Sequence, residues 1–583
     1  MVSVKIISVE KSRYLEQKAN EGGLSYAQMM ENAGRLTARE ILSVCRRDRE
    51  SLEGTRIVVL VGPGNNGGDG LVAAHYLSEM RALVSCYLWQ RKVADDASFR
   101  RIEADGLQVI WAEDDVGFEA LRTLLAGANV VVDALLGVGV SRPIEGLLAE
   151  ILQATRQALA GRKEPVGLVE PVPLSPAVPG PWVVAVDCPT GLDCDSGALD
   201  PATLPADLTV TFAYPKTGLL RFPGAEAVGE LAVADIGVPP ELAGDVTLEL
   251  ATPAMIRAWL PDRPRSAHKG SFGRALVVAG SVNYVGAAAL AGAAATRVGA
   301  GLVTMALPSP IQPAVAAQVP EVTYLLLPHD LGVIASGAVP VLQDKMASYE
   351  AMLLGPGLTQ ESETVAFVHA LLGLHGQEHR GRIGFVGSSP AEEPEQSRLP
   401  ALVIDADGLN ALAVAEAGEW WTTLPPDSIL TPHPGEMARL IGDQMTVPEV
   451  QADREGIARR MAAQWSVVVV LKGAFTVVAA PDGRTVVLPF ANPGLATAGT
   501  GDVLSGAIVG LRAQGLGAFE AAVSAAYLHG LAGELVRADL GDMGLVAGDL
   551  VRRLPLALRR VRQGPGPLAR WREPGWAVGR EGG

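Results

Sequence analysis

The stretch RIVVLVGPGNNGGDGLVAAHYLSEM (Arg56–Met80) passes from an unbroken apolar run through a glycine-rich turn into an Ala/Leu-rich segment. A continuous run such as Arg56–Val61 is the pattern of a strand buried on both faces, and the segment after the glycines has a helical composition. The reading is therefore a strand, a loop over Gly62–Gly70 and a helix to about Met80. Outward from it the same alternation continues. A helix is expected from about Ser25, its N-cap, to Cys45, and strands at Leu83–Leu88, Val130–Asp133, Trp182–Asp187 and Leu208–Ala213. The second half restarts with a strand at Arg274–Gly280 and ends in helices at about 502–513, 518–536 and 546–562. Val-rich runs alternating with helical segments predict α/β layers around parallel sheets.

A chain of 583 residues is long enough for roughly four domains, or two large ones. The pattern breaks near 239–262, which divides the chain into domains over 1–245 and 246–563, with a loose tail over 564–583. The Pro-rich stretch 161–181 reads as a surface insertion rather than a boundary, because the strand after it completes the same sheet. Hydrophobic residues at 48% and charged residues at 19% supply a large core and exclude wholesale disorder. The net charge of −16 argues against a nucleic-acid partner. Cys45, Cys86, Cys188 and Cys194 are too few and scattered for a disulfide scaffold. The N-terminus lacks the apolar run of a signal peptide, and the apolar stretches are too short and broken for membrane spans. The expectation is a cytoplasmic enzyme without a membrane partner.

Three strand ends in the first half carry polar groups. Asn65, Asn66 and Asp69 crowd onto the glycine-rich turn, VVVDALLGVGVSRP ends its strand at Asp133, and VVAVDCPTGLDCDSG ends at Asp187 before Thr190. Ligands of open α/β sheets bind outside the carboxyl ends of strands, so these ends can converge on one crevice. Any single Asp there can equally be a helix N-cap. The Asn/Asp/Thr oxygen set suits a hard cation rather than zinc or copper.

In the second half, NPGLATAGTGDVLSGAIVGL (Asn492–Leu511) places Gly499-Thr500-Gly501-Asp502 at the opening of a long helix. Its free N–H groups can hold phosphate, and Asp502 is placed to take a proton from a hydroxyl gaining phosphate. The plainer reading is an acid stabilising the helix dipole.

GPGNNGGDG, VVDALLG, DCPTGLDCDSG and AYPKTGLL (Ala213–Leu220) resemble the NAD(P)H-hydrate epimerase domain over roughly residues 1–240. The resemblance implies a Rossmann-like three-layer αβα domain. Asn65, Asn66, Gly67, Gly68 and Asp69 would bind the hydrated nicotinamide nucleotide. Gly137, Val138, Gly139, Val140, Ser141, Arg142, Pro143 and Asp187 would contact the same substrate. It also implies a potassium ion held by Asn66, Asp133 and Thr190, with Thr190 standing where Ser is frequent. Asp187 would move the proton when the C6 hydrate epimers interconvert.

GTGD is the anion-hole motif of ribokinase-like folds. Together with HKGSFGRALVVAGS (His268–Ser281), GPGL (Gly355–Leu358), DADGLNAL (Asp405–Leu412), TPHPGEMARL (Thr431–Leu440) and LKGAFTVV (Leu471–Val478), it resembles ADP-dependent NAD(P)H-hydrate dehydratase over roughly 250–560. The resemblance implies a ribokinase-like αβα domain with Asp502 as catalytic base on the substrate. His433, Ala287 and Gly357 would line the substrate pocket. Lys472, Gly473, Ala474, Phe475, Thr476 and Gly501 would bind the AMP part of the nucleotide. Asp405 and Asn410 are either supporting or capping groups. Magnesium bridging the phosphates is expected, with Glu436 a candidate ligand. ADP rather than ATP rests wholly on this resemblance.

The combined expectation is a bifunctional nicotinamide nucleotide repair enzyme. It would epimerise R and S hydrates of NAD(P)H and dehydrate the S form with ADP, giving AMP and phosphate. The Ala-rich second-half helices offer surfaces for a homo-oligomer. The rival readings are a small-molecule kinase of the same superfamily and a first half that binds nucleotide without catalysis.

Overall fold

The structure is a computed structural model, and the description covers residues 4–46, 51–139, 142–163, 181–374, 399–416, 418–442 and 445–563. Residues 164–180 of the expected insertion, the tail 564–583, and Val140 and Ser141 lie outside the described residues. The chain forms two compact units, and the passage between them falls at Val246–Thr247.

The first unit opens with a short extended segment, β1 (Val4–Lys5), and two helices, α1 (Val9–Glu21) and α2 (Tyr26–Cys45). Ser25 caps α2, its hydroxyl accepting the Gln28 N–H. Next come β2 (Arg56–Val61), α3 (Asn65–Glu79), β3 (Leu83–Leu88), β4 (Gln108–Trp111), β5 (Val130–Ala134), β6 (Trp182–Val186), β7 (Leu208–Phe212) and β8 (Glu230–Ala234). The sheet order is β4-β3-β2-β5-β6-β7-β8, parallel at every pairing. Side chains alternate between the two faces of a strand. Ile57, Val59 and Val61 therefore pack in one core with Ile41 and Leu71, while Val58 and Leu60 pack in another with Leu125 and Ile151. Both faces are covered, which explains why these strands read as unbroken apolar runs.

One expectation fails here. Gly62–Gly70 is not a loop throughout, because α3 begins at Asn65 and only Gly62–Gly64 turn. The remaining glycines are there for contact. A Cβ on Gly67 would lie 2.1 Å from the Gly62 carbonyl oxygen, and one on Gly70 would lie 2.5 Å from Ala134 Cβ. Glycine signals close approach as well as turning, and composition alone does not separate the two.

The strands of the second unit are β9 (Leu248–Leu250), β10 (Arg274–Val278), β11 (Leu302–Pro308), β12 (Thr323–Leu327), a small hairpin of β13 (His329–Asp330) and β14 (Val333–Ile334), β15 (Ala351–Leu354), β16 (Ala401–Ile404), β17 (Ile429–Leu430), β18 (Val468–Leu471), β19 (Val477–Ala479) and β20 (Thr485–Val487). They run β9-β20-β19-β18-β17-β16-β15-β10-β11-β12. Pairing is parallel except β18–β19 and β19–β20, which are antiparallel. The helices Thr500–Ala513, Ala518–Leu540 and Ala547–Gln563 match the expected trio. The first is buried along almost its whole length and packs on Val285–Arg297. A Cβ on Gly506 would lie 2.2 Å from the Ala291 carbonyl oxygen, so these small residues let two backbones meet within the unit. Both units are three-layer α/β folds, the first Rossmann-like and the second ribokinase-like.

Candidate functional site

In the first unit the strand order reverses between β2 and β5, so their carboxyl ends flank a crevice. The β2 turn closes tightly on β5, since a Cβ on Gly62 would lie 1.7 Å from the Leu135 carbonyl oxygen. Arg91 braces that turn, donating to the carbonyls of Gly62 (2.8 Å) and Gly64 (3.0 Å) and, through Nε, to Asp96 (2.7 Å). Asn66 and Asp69 are buried in the first turn of α3. Asn66 Nδ2 donates to the Leu136 carbonyl at 2.9 Å.

Asp133, at the end of β5, is wholly buried. Its Oδ1 accepts the Thr190 hydroxyl at 2.7 Å and its Oδ2 the Thr190 N–H at 2.8 Å. The Leu136 N–H donates to Thr190 Oγ1 at 3.0 Å, which links Asn66, Asp133 and Thr190 through one backbone residue. Burial raises the Asp133 pKa against the pull of the Thr190 and Leu135 hydrogen bonds. Among the described residues the partners of this buried carboxyl are neutral donors, Thr190 and the Leu135 N–H. Oxygen donors of this kind suit a hard cation rather than zinc or copper.

Asp187 sits at φ +63°, a backbone conformation rare outside glycine. Its Oδ1 accepts Lys216 Nζ at 2.6 Å, Thr211 Oγ1 at 3.0 Å and the Phe212 N–H at 3.2 Å. Lys216 is 1% exposed and also donates to Thr211 Oγ1 and the Phe212 carbonyl, both at 3.2 Å. An ammonium has three donors, and all three are used. Burial works against the charge of Lys216, but Asp187 outweighs it and the pKa is raised. Among the described residues Asp187 Oδ2 accepts no hydrogen bond, so one carboxylate oxygen is fixed and the other is free. Lys216 is a residue that sequence reasoning missed. Within AYPKTGLL nothing but its position among small and apolar neighbours distinguishes it from a surface lysine.

Burial, then the charges of Asp187 and Glu16, hold Asp69 well above the usual carboxylate range. Glu16 of α1 is itself raised by burial, with Lys216 opposing. Gly137 lies on Asn66, a Cβ there falling 3.2 Å from Asn66 Cβ. Farther along that loop Val138 is half-buried, while Arg142 and Pro143 are exposed.

In the second unit the helix Thr500–Ala513 opens at Gly499, φ +89°, leaving its first N–H groups unpaired within the helix. Thr500 Oγ1 donates to the carbonyls of Leu495 and Thr497, both at 2.9 Å. His529 hydrogen-bonds the Thr500 carbonyl at 3.0 Å, and burial pushes its pKa down to about 4, so it is a neutral brace. Lys472 Nζ lies 2.7 Å from Asp405 Oδ1 and 3.5 Å from Glu436 Oε2. A Cβ on Gly501 would be 3.6 Å from that ammonium, so the helix mouth and the β18 end meet. Burial, then Asp405, pushes Asp502 up to about 7, with Lys472 pulling the other way.

His433 caps the helix Pro434–Ile441. Its Nδ1 accepts the N–H groups of Gly435 (3.0 Å) and Glu436 (3.3 Å), and Glu436 Oε2 accepts the His433 N–H at 2.8 Å. Burial lowers the His433 pKa. A neutral ring accepting at Nδ1 carries its proton on Nε2, which lies 3.5 Å from Glu436 Oε1 on a half-exposed side chain. Glu436, the candidate magnesium ligand, is 5% exposed and committed to His433 and Lys472. Among the described residues no group of three His, Cys, Asp or Glu is arranged to hold a metal ion.

Gly357, at φ +65°, meets Ala287, a Cβ there lying 2.9 Å from Ala287 Cβ. On the nucleotide side Gly473 takes φ +142°. Thr476 Oγ1 bonds the Gly473 carbonyl at 2.8 Å, and the Phe475 N–H donates to the Phe490 carbonyl at 2.7 Å. Ala474 is exposed between them. Arg454 holds the turn from behind, donating to the carbonyls of Leu471 and Lys472. Asn410 has a supporting place. It accepts from Arg439 at 3.1 Å and donates to Asp407 at 3.3 Å.

A family model described as YjeF-related protein N-terminus matches residues 26–218, and one described as NAD(P)H-hydrate dehydratase matches residues 275–556. The bifunctional NAD(P)H-hydrate repair enzyme of Moorella thermoacetica is 37% identical over 92% of this chain and 93% of its own. That of Thermofilum pendens is 36% identical over 96% and 97%. Among solved structures, the ADP/ATP-dependent NAD(P)H-hydrate dehydratase of Bacillus subtilis, co-crystallised with ATP and Mg2+, is 32% identical. It covers 54% of this chain and 98% of its own, with a TM-score of 0.43. The chain belongs to the family of bifunctional NAD(P)H-hydrate repair enzymes.

Proposed function

We infer that the two units divide one repair between them, the first interconverting the R and S hydrates of NAD(P)H and the second dehydrating the S form with ADP. The observation that carries the second step is Asp502, a largely buried acid at a helix mouth whose pKa lies near neutrality. A group of that pKa is suited to take the C6 hydroxyl proton as the oxygen attacks the β-phosphorus of ADP. The new O–P bond forms as the bond to AMP breaks. Phosphate then leaves C6, pushed by the ring nitrogen lone pair, and loss of a C5 proton restores the C5–C6 double bond. The unpaired N–H groups after Gly499 stabilise the charge developing on phosphate. His433 Nε2–H, with Ala287 and Gly357, positions the substrate, and Lys472–Thr476 with Gly501 hold the AMP part. No protein group is assigned to magnesium here, which would supply charge neutralisation of the phosphates.

In the first unit, Asn65–Asp69, the Gly137–Pro143 loop and Asp187 hold the hydrate, and Asp187 Oδ2 moves the proton. Asn66, Asp133 and Thr190 would hold potassium, whose charge would balance that of Asp133. The setting is cytoplasmic and the assembly a homo-oligomer, with no nucleic-acid or membrane partner. No helix among the described residues is long and apolar enough to cross a membrane.

The test follows the near-ultraviolet absorbance of an equilibrated mixture of NADH hydrate epimers with protein, magnesium and potassium. Full recovery of the reduced-nicotinamide band with ADP, and none without nucleotide, is expected. Accumulation of a stable phosphoester would overturn the reading in favour of a kinase.

A further inference from the structure

The crevice of the first unit has a charge problem. Asp69 stands among the charges of Asp187 and Glu16, and a dinucleotide brings a doubly charged diphosphate. The cations already described are spent. Arg91 is tied to Asp96 and two carbonyls, and all three donors of Lys216 are used. A further one comes from α1, which precedes the residues matched by the family model, and its charge also acts on Glu16. Arg13 Nη2 lies 3.1 Å from where a Cβ on Gly139 would stand, against the loop that includes Gly137. Its guanidinium makes no hydrogen bond or ion pair among the described residues. Ile7, just before α1, pairs with Lys216, and Glu16, one turn on from Arg13, lies within electrostatic reach of Lys216 and Asp187.

We propose that α1 forms a wall of the hydrate crevice and that Arg13 receives a phosphate of the dinucleotide. A planar guanidinium pairs with phosphate oxygens in a fork. The inference rests on the first unit being the epimerase, and it adds a residue of the binding surface, not of proton transfer.

The test is epimerisation by the full chain of R-NADPH hydrate and of the phosphate-free hydrate of reduced nicotinamide riboside. Arg13→Ala is expected to raise KM for the dinucleotide on the order of tenfold, with kcat nearly unchanged. It leaves kcat/KM for the riboside unchanged, and Arg13→Lys recovers part of the loss. The rise of the dinucleotide KM with added salt also becomes shallower in Arg13→Ala. Unaltered epimerisation of the riboside hydrate shows that the first unit is folded. An unchanged dinucleotide KM and salt response, or an equal loss on both substrates, would overturn the proposal. Should Asp187→Asn still accelerate epimerisation, the catalytic reading fails instead, while the Arg13 comparison is read independently.

Discussion

Each unit carries a lysine–aspartate pair near the carboxyl end of a largely parallel sheet, and the two pairs are used differently. Lys216 and Asp187 lie 2.6 Å apart, and Lys472 and Asp405 lie 2.7 Å apart. In the first unit the lysine holds the acid proposed to move the proton, fixing one oxygen and leaving the other free. In the second it holds a neighbour, and among the described residues no cation is bonded to Asp502, which burial and the charge of Asp405 push up to about 7. One arrangement aims a carboxylate, and the other tunes a base. Epimerisation needs a positioned group for a reversible step, whereas phosphorylating a hydroxyl needs a base poised near the working pH.

The largest effects come from removing either acid. Asp502→Asn is expected to slow dehydration on the order of a hundredfold to ten-thousandfold while epimerisation continues, and Asp187→Asn to do the reverse. Rates with separated epimers check both, and a variant that damages both activities equally would break the division between units. Next is the cost of orphaning a buried charge. Lys216→Met leaves Asp187 without its cation and should destabilise the first unit by about 3–5 kcal/mol, read by denaturant unfolding.

The titration of Asp502 sharpens the contrast. Its folded pKa of about 7 lies above the ordinary 3.8, so between these values the folded state binds more protons than the unfolded one. Stability from this group therefore falls as pH rises through that window, and the penalty is complete above it. Asp502→Asn should gain stability of a few kcal/mol at most above neutrality and none in acid, read as Tm against pH. Wild-type dehydration should fall as pH drops through about 7, and this limb should be absent from epimerisation. The smallest effect is at His433. His433→Ala removes a helix cap worth about 1 kcal/mol and should raise KM for the hydrate more than it lowers kcat.

The layers of both units were legible in the sequence because buried parallel strands leave continuous apolar runs, as at Arg56–Val61 and Val130–Ala134. Strand ends such as Trp182–Val186 fell one residue short of expectation, since the terminal Asp187 takes φ +63° and leaves the strand. The start of α3 was hidden by glycines that serve packing. Asp133, Asp187, His433 and Asp502 were visible because their motifs place polar groups at strand ends and helix starts. Lys216 and Arg13 were not visible, because the partners that give them meaning lie far along the chain. Lys216 meets Asp187 across the end of the sheet, and Arg13 meets Gly139 across a crevice. No local spacing encodes either encounter.

The most direct test of two independent acid sites in one chain is a mixing experiment on purified R-NADH hydrate with ADP, magnesium and potassium. Asp187→Asn alone should convert the R form no faster than its spontaneous epimerisation allows, and Asp502→Asn alone should restore no reduced nicotinamide. The two variants together should restore the near-ultraviolet band at a rate approaching that of the wild type. Conversion of the R form at the wild-type rate by either variant alone, or no recovery from the mixture, would contradict the account.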